Sequence, residues 1–592
     1  MRPSLLFILP TAVALRTCKL TPSDRDWPSL QEWAALNSSI GGALLQTHPA
    51  ASSCYRGNPL HSSVACKTVE ANWTESAFHA SLPESITSPL YANDSCLPPS
   101  ATVYNATAGC ALGGYPAYVV NATSDVQIAA AARWASHKNI RIVIKGTGHD
   151  LNGRSSGAHA LSIWTRHLKH VQLLTNWRIP GSNETDAVLV AGSGLNYGEA
   201  VLAALDGGRV IVSGNDATVG LGGHIQGGGH GPLSSTHGLA ADNIYQARVV
   251  TTQGDILTAD ATQNQDLLWA IRGGGAGQYG IVTEYVLKTH PAPATVVCPA
   301  LSLSPADNTS AAYEASWKAF AVLLQDLPDL MDSGLAGSMI IQGDPKLGVS
   351  VSQGFYAYNM TASAAIALIK PTVKRMQAVA GSSTHAPSVA ISTTASYSSY
   401  RAFFEGLMAG GSSTAGAMSM ISSHLLGRAE LSDLDSDRLV AYAKRFLNGT
   451  GEAKSKLAVI GLQGGPGPAN VDPNMRGALL PAWRSTYIHA MSYSATFDTT
   501  LTPKKMLSKT AAQLSNTTEK LWREWAPNTG AYMNEGNPFT PYFKKDFYGA
   551  SYDRLLEIKK KYDPTESLFV LSGVGSDHWD YDLMTGSLCR VD

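Results

Sequence analysis

The residues best suited to chemistry in this chain fall in two glycine-flanked stretches. One reads GTGHDLNGRSSG over 146–157 and carries His149, Asp150 and Arg154; the other reads IVSGNDATVGLGGHIQGGGHG over 211–231 and carries Asp216, His224 and His230. Seven glycines fall within Gly220–Gly231. Glycine loses more backbone entropy on ordering than any other residue, so this density implies positive φ or close approach of the backbone to a ligand. Successive exposed N–H groups form a concavity suited to phosphate oxygens, and a dinucleotide pyrophosphate is the ligand that fits. Val219, Leu221, His224 and Ile225 interrupt the glycines too regularly for a flexible linker.

A nicotinamide-binding Rossmann turn must follow a strand, open a helix and carry an acidic residue about 20 positions on. Asp242 stands near that distance, but the residues after Gly231 read as a hairpin, with Gln253-Gly254 between the apolar runs Ala247–Thr251 and Ile256–Leu257. The glycine loop therefore bridges strands. Arg154 either pairs with a phosphate or sits in solvent. His224, His230 and His237 show no partner set of metal-ligand type, His237 reads as an ordinary polar contact, and no metal is expected. Neither a serine-nucleophile elbow, an HExxH pair nor a P-loop occurs, which leaves hydrolase, zincin and NTPase readings without residues.

The elements that must position these groups alternate short strands with helices from Tyr115 onward. Strands are expected at Tyr118–Val120, Ile140–Lys145, Leu161–Trp164, His170–Leu174, Ala187–Gly192, Val210–Ser213 and Gly280–Lys288, with helices over Asp125–His137 (Ser124 as cap), Tyr197–Leu205 and Asp266–Ile271. Before them, Ser29–Leu45 reads as a helix, with Trp27, Trp33 and Trp73 as anchors in an otherwise irregular stretch. After Pro293, β-rich pieces (Gly348–Tyr358, Leu457–Leu462) mix with helices over Ala312–Leu324, Ala362–Val379 and Leu434–Phe446, and Pro371 should kink or split the second helix. The class is α+β.

Three ordered motifs, GTGHDLNGRSSG at 146–157, VGLGGHIQGGGHG at 219–231 and DLLWAIRGGGAGQYGIVTEYVLK at 266–288, resemble the PCMH-type FAD-binding domain of the vanillyl-alcohol oxidase superfamily. YMNEGNPF at 532–539 and YDRLLEIKKKYDPTESLFV at 552–570 extend the similarity to its berberine-bridge-enzyme-like branch, and to secreted fungal members within it. The resemblance implies a two-part FAD-binding domain over 114–293, a substrate domain over 294–504 with an antiparallel sheet covered by helices, and a segment 505–592 that returns to the FAD domain. It implies that FAD is cradled by Gly146, Thr147, Gly148, Asp150, Gly153 and Arg154 in the first loop. In the second it would be cradled by Asp216, Thr218, Val219, Gly220, Gly222, Gly223, His224 and Gly227, Gly228 and Gly229, and beyond it by Gly280, Ile281 and Val282.

In that family the histidine at the place of His149 bonds to the flavin 8α-methyl; the alternative here is a hydrogen bond to phosphate. Members with a second bond carry a cysteine where this chain has Asp216. A carboxylate cannot form that thioether, so at most one link is expected and Asp216 reads as a turn acceptor. Tyr532 and Asn534 match a Tyr-x-Asn pair near the flavin's reactive face. Tyr532 either takes a substrate proton, if a cation depresses its pKa, or is a buried phenol with a satisfied hydroxyl. The implied activity is hydride transfer from a small molecule, foremost a phenolic or polycyclic metabolite, to flavin, with reoxidation by O2. A carbohydrate oxidase and a redox-neutral flavin-bearing isomerase or cyclase are the alternatives.

At 592 residues more than one domain is expected. Charged residues make up 15 % with a net charge of −1 and no basic run, which argues against nucleic acid as a partner. The N-terminus, MRPSLLFILPTAVALRTC, reads as a signal peptide over 1–17, too short to span a bilayer, and no later run is long enough to do so. Ten Asn-x-Ser/Thr sequons, from Asn37 to Asn516, agree with secretion. Five of seven cysteines lie in 18–113, read as a disulfide-tied extension; Cys54–Cys66 and Cys96–Cys110 are the simplest pairs, and an odd count leaves at least one thiol.

Overall fold

The computed structural model describes residues 17–381, 384–411, 414–448 and 456–591. Apart from Thr17, the leader expected over 1–17 lies outside the described residues. No helix among the described residues is long and apolar enough to cross a membrane.

The first half builds two sheets. A four-stranded sheet runs Leu44–Gln46, Tyr118–Asn121, Leu161–Trp164, Ile142–Lys145. Its last two pairings are parallel, and parallel neighbours need crossovers. The helix Asp125–His137 supplies one, capped by Ser124 as expected; the loop 146–157 lies within the other. A five-stranded antiparallel sheet runs Val171–Arg178, Thr185–Gly192, Ile281–Lys288, Ile244–Val250, Ile256–Ala259. Its last pair is the hairpin expected at Gln253-Gly254, where Gly254 takes φ +81°.

The third sheet has seven antiparallel strands: Ser388–Tyr397, Val296–Ser304, Gly348–Tyr358, Leu335–Asp344, Lys456–Leu462, Thr486–Ser492, Ser422–Gly427. Strand residues such as Met339, Ile341, Ile460, Ile488 and Ala490 form one buried cluster with Trp317, Phe320, Ile369, Ala443 and Trp522 from four covering helices. The chain then returns to the first half. Ile142 N–H donates to Ser567 O at 2.8 Å, and Tyr552, Leu555 and Ile558 share a core with Leu267 and Leu268.

Three local readings change. The helix expected over Ser29–Leu45 stops at Ser39, because Gly41 and Gly42 at φ +68° and +84° reverse the chain, and Leu44–Gln46 joins a sheet edge. The strand expected at Val210–Ser213 contracts to Arg209–Val210, paired with His290–Pro291. The helix Ala362–Ala378 runs uninterrupted through Pro371. Both Pro371 and Ala367, whose carbonyl loses its donor, are exposed, so water can take that bond.

Cys54–Cys66 and Cys96–Cys110 are disulfides, as the spacing suggested, and tie the N-terminal segment. A third bond, Cys18–Cys589, closes a separation of 571 residues and fastens the chain ends together. Cys298 alone is a free, buried thiol. Thiol titration of unreduced protein in denaturant should therefore give one thiol per chain, on the peptide containing Cys298. Three or more thiols would refute the pairing.

Candidate functional site

The two glycine-flanked stretches meet over a cavity of about 360 Å³. The strand Ile142–Lys145 delivers Gly146, Thr147, Gly148, His149, Asp150 and Arg154 to its wall. The second stretch brings Asp216, Val219, Gly220, Gly222, Gly223 and His224, and the strand Ile281–Lys288 brings Val282. Tyr532, Asn534 and Glu535 close it from the C-terminal segment, and Met491 of the seven-stranded sheet closes it with Ile421 and Tyr493, which flank two of that sheet's strands.

The second stretch is less of a loop than its sequence suggests, since Leu221–Gln226 forms a short helix. Its glycines divide into two kinds. A Cβ on Gly222 or Gly223 would meet nothing within 4 Å, so these two offer bare backbone to the cavity. Gly227, Gly228 and Gly229 are off the cavity wall and serve close packing, against Asn534, Leu479 and the His224 ring respectively. Gly153, Thr218, Gly280 and Ile281 are also off the wall. Gly153 lies against the Tyr91 ring, and Gly280 at φ +142° lies against Val249.

His149 Nε2 stands 3.3 Å from Asp216 Oδ2. Asp216 Oδ1 accepts from the Thr218 N–H at 2.8 Å and from its hydroxyl at 2.7 Å, the turn role expected of it. A carboxylate only accepts, so Nε2 carries the proton in this pair and Nδ1 of His149 keeps a lone pair. Asp150 accepts from the Arg154 backbone N–H. All three guanidinium nitrogens of Arg154 are buried without a hydrogen-bond partner among the described residues, as is Ser193 Oγ on the same wall. A buried cation with no hydrogen-bond partner, a hydroxyl without one and bare glycine backbone together fit a ligand rich in phosphate or carbonyl oxygens.

The opposite wall carries a cluster that sequence spacing hid. His230 Nε2 lies 3.0 Å from Glu535 Oε2, across 305 residues, and His489 Nδ1 lies 3.4 Å from the same oxygen. This corrects the reading that His230 has no partner set of metal-ligand type, since the ligand atoms of His230, His489 and Glu535 all lie within 4.8 Å of one another. Burial alone would raise the Glu535 carboxyl, but His230, His489 and His224 bring it down to about 2. Burial pushes His489 and His224 each down to about 3. His224 is held by the Tyr197 hydroxyl at 2.6 Å and the His230 carbonyl at 3.0 Å. His237 stacks on His290 at 3.9 Å, away from the cavity. Asn534 Nδ2 donates to the Tyr532 hydroxyl at 2.8 Å. Burial, followed by the Glu535 charge, raises the Tyr532 phenol well above its usual range, so the depression that a general base would need is absent.

A family profile described as FAD binding domain matches residues 116–260, and one described as berberine and berberine like matches residues 531–569. FAD-linked oxidoreductase ZEB1 of Gibberella zeae is 32 % identical over 97 % of this chain and 95 % of its own. The crystal structure of VAO-type flavoprotein MtVAO615 from Myceliophthora thermophila is 31 % identical with a TM-score of 0.83, over 97 % of this chain and 100 % of its own. That of MtVAO713 from the same fungus is 28 % identical with a TM-score of 0.86, over 98 % and 100 %.

The lowered Glu535 pKa makes its charge a source of stability. A carboxyl depressed on folding contributes above its unfolded pKa, ordinarily about 4.5, and loses that contribution as pH falls towards about 2. Glu535→Gln should melt below wild type at pH 6, and the gap should close between pH 4.5 and 2. A gap independent of pH, measured by thermal unfolding, would count against the ion pair.

Proposed function

The chain belongs to the FAD-linked oxidoreductases of vanillyl-alcohol-oxidase and berberine-bridge-like type, and from that premise we propose that it is a secreted oxidase of a hydroxyl-bearing small molecule, using O2 as electron acceptor. The observation that carries this reading is one cavity that joins His149–Asp216 on one side to Tyr532–Asn534 on the other. FAD, when bound, supplies the two-electron acceptor and passes the electrons on to O2.

The protein's share is binding, orientation and proton handling. Arg154, Ser193 and the backbone at Gly222 and Gly223 would hold the cofactor's oxygens. Asp216 fixes the tautomer of His149, which leaves Nδ1 as the atom that would bond the flavin; Asp216 has no thiol, so that link would be single. Tyr532 stays neutral: its oxygen accepts from Asn534, so its own proton is free to hold a substrate oxygen. Ile421, Met491 and Tyr493 give the substrate an apolar and aromatic wall, suited to a phenolic or polycyclic skeleton. Three disulfides and ten sequons, none of them on a buried asparagine, support a secretory route.

Denatured wild-type protein should fluoresce in acid on a gel, with flavin on a single peptide containing His149. His149→Ala should release its yellow colour on precipitation, and colour that washes out of both proteins alike would sink the covalent link. Tyr532→Phe removes only a hydroxyl. Anaerobic bleaching of the flavin by substrate should slow about ten-fold, the scale of one hydrogen bond of about 1.4 kcal/mol, with flavin content unchanged. An unaltered bleaching rate would leave Tyr532 a packing residue.

A further inference from the structure

The oxidation of an alcohol needs a group to receive the hydroxyl proton, and Tyr532 is held neutral. On the same wall, His230 and Glu535 both face the cavity, while His489 stands behind them with no exposed surface. Glu535 is ionised and can only accept, so at 3.0 Å the His230 Nε2 is the protonated nitrogen of the pair. The lone pair then lies on Nδ1, which is buried and has no hydrogen-bond partner among the described residues. A carboxylate that fixes one ring nitrogen so that the other can accept a proton is the arrangement of a general base with its orienting acid.

We propose that His230 is the catalytic base, receiving the substrate's hydroxyl proton on Nδ1, with Glu535 as the positioning residue that compensates the resulting imidazolium. The proposal rests on the FAD-oxidase reading, and it narrows the substrate to an alcohol whose hydroxyl carbon bears hydrogen. The O–H bond breaks and its proton goes to Nδ1; the C–H bond breaks and its electron pair leaves with the hydrogen as hydride to the flavin. A C=O bond forms, the carbon loses two electrons and the flavin gains two.

Among the described residues, the titratable side chains packed directly against the pair are uncharged, and the Arg154 cation stands further along the cavity. His224, from the helix Leu221–Gln226, and His489, from the strand Thr486–Ser492, are kept neutral by burial. Tyr532, on the same segment as Glu535, and Tyr493, just past the strand, are both raised by burial and then by the Glu535 charge. The proton transferred to His230 therefore meets no second cation among these groups.

The test uses holoenzyme labelled with [13Cε1]-histidine and titrated by NMR from pH 4 to 9. The His230 signal is identified by its loss in His230→Gln. It should titrate within this range while the His224 and His489 signals stay flat. In Glu535→Gln its midpoint should move to lower pH by about one unit or more, because the carboxylate that favours the charged ring is gone; Glu535→Asp should bring it most of the way back. Primary and secondary aromatic alcohols, mixed anaerobically, serve as reductants. Those that bleach the wild-type flavin should bleach His230→Gln about 100-fold more slowly or worse, at equal flavin content, and the acid limb of the rate profile should disappear. A flat His230 signal, a midpoint indifferent to Glu535→Gln, or unimpaired bleaching in His230→Gln overturns the assignment. Protein purified without flavin would overturn the FAD reading instead, and the titration would still report on the pair.

Discussion

Between Gly227 and Gly231 the backbone is pressed against three other parts of the chain at distances no side chain allows. A Cβ on Gly231 would stand 1.7 Å from the Ser213 carbonyl oxygen, one on Gly227 would stand 2.4 Å from the Asn534 amide, and one on Gly229 would stand 2.6 Å from the His224 ring. These approaches let the C-terminal segment settle onto the glycine-rich stretch, which brings Tyr532, Asn534 and Glu535 into reach of His230 across about 300 residues of sequence. They also leave Gly222 and Gly223 free of contact on the other side. The same stretch is thus a packing surface on one face and a ligand surface on the other. An alanine at Gly227 would push against the Asn534 amide of the C-terminal segment, and one at Gly231 would push against the Ser213 backbone, which has nowhere to move.

Electrostatics then divides the cavity into two ends. One end has the Arg154 guanidinium, without a hydrogen-bond partner, beside bare backbone and the His149–Asp216 pair. The other has Glu535, a half-buried carboxylate held ionised by imidazoles. A lone buried carboxylate would protonate to escape its desolvation cost; here hydrogen bonding from His230 offsets that cost and fixes the ring's tautomer. Desolvation keeps His224 and His489 neutral, so four ionisable groups within one wall carry few charges. Such economy suits chemistry in which a proton and a hydride leave one substrate together.

Legibility from sequence followed the range of the physics involved. The hairpin at Gln253-Gly254 was readable, and with it the rejection of a Rossmann turn, because turn chemistry is local. So were the caps at Ser124 and the disulfides 12 and 14 residues apart. Gly41-Gly42 held the end of the first helix in plain view, yet the apolar Leu44 and Leu45 after it favoured the longer reading. Asp216 was legible as a turn acceptor, but its contact with His149 depends on tertiary closure. Glu535 was passed over although it adjoins Asn534, since a carboxylate in a loop is ordinarily solvated and its meaning comes from two histidines on other elements. The glycine density pointed to a ligand, and half of it turned out to answer to chain packing instead.

The seven-stranded sheet shows why the ceiling of the site follows from strand alternation. On Thr486–Ser492, Ile488 and Ala490 enter the helix-covered core, whereas His489 and Met491 lie on the opposite face, towards Glu535 and the cavity. Successive side chains of a strand point to opposite faces, so the same burial that fixes the strand against its helices also fixes His489 behind the carboxylate. A slip of one residue would drive the imidazole into the apolar core and set Ile488 beside an anion. Register here is held by pairing on both sides, Ile460 opposite Ala490 and His424 opposite Ala490. Residues at the strand end, such as Tyr493, touch the cavity without belonging to that core. They can change with the substrate while the parts that hold the cofactor and move the proton keep their geometry.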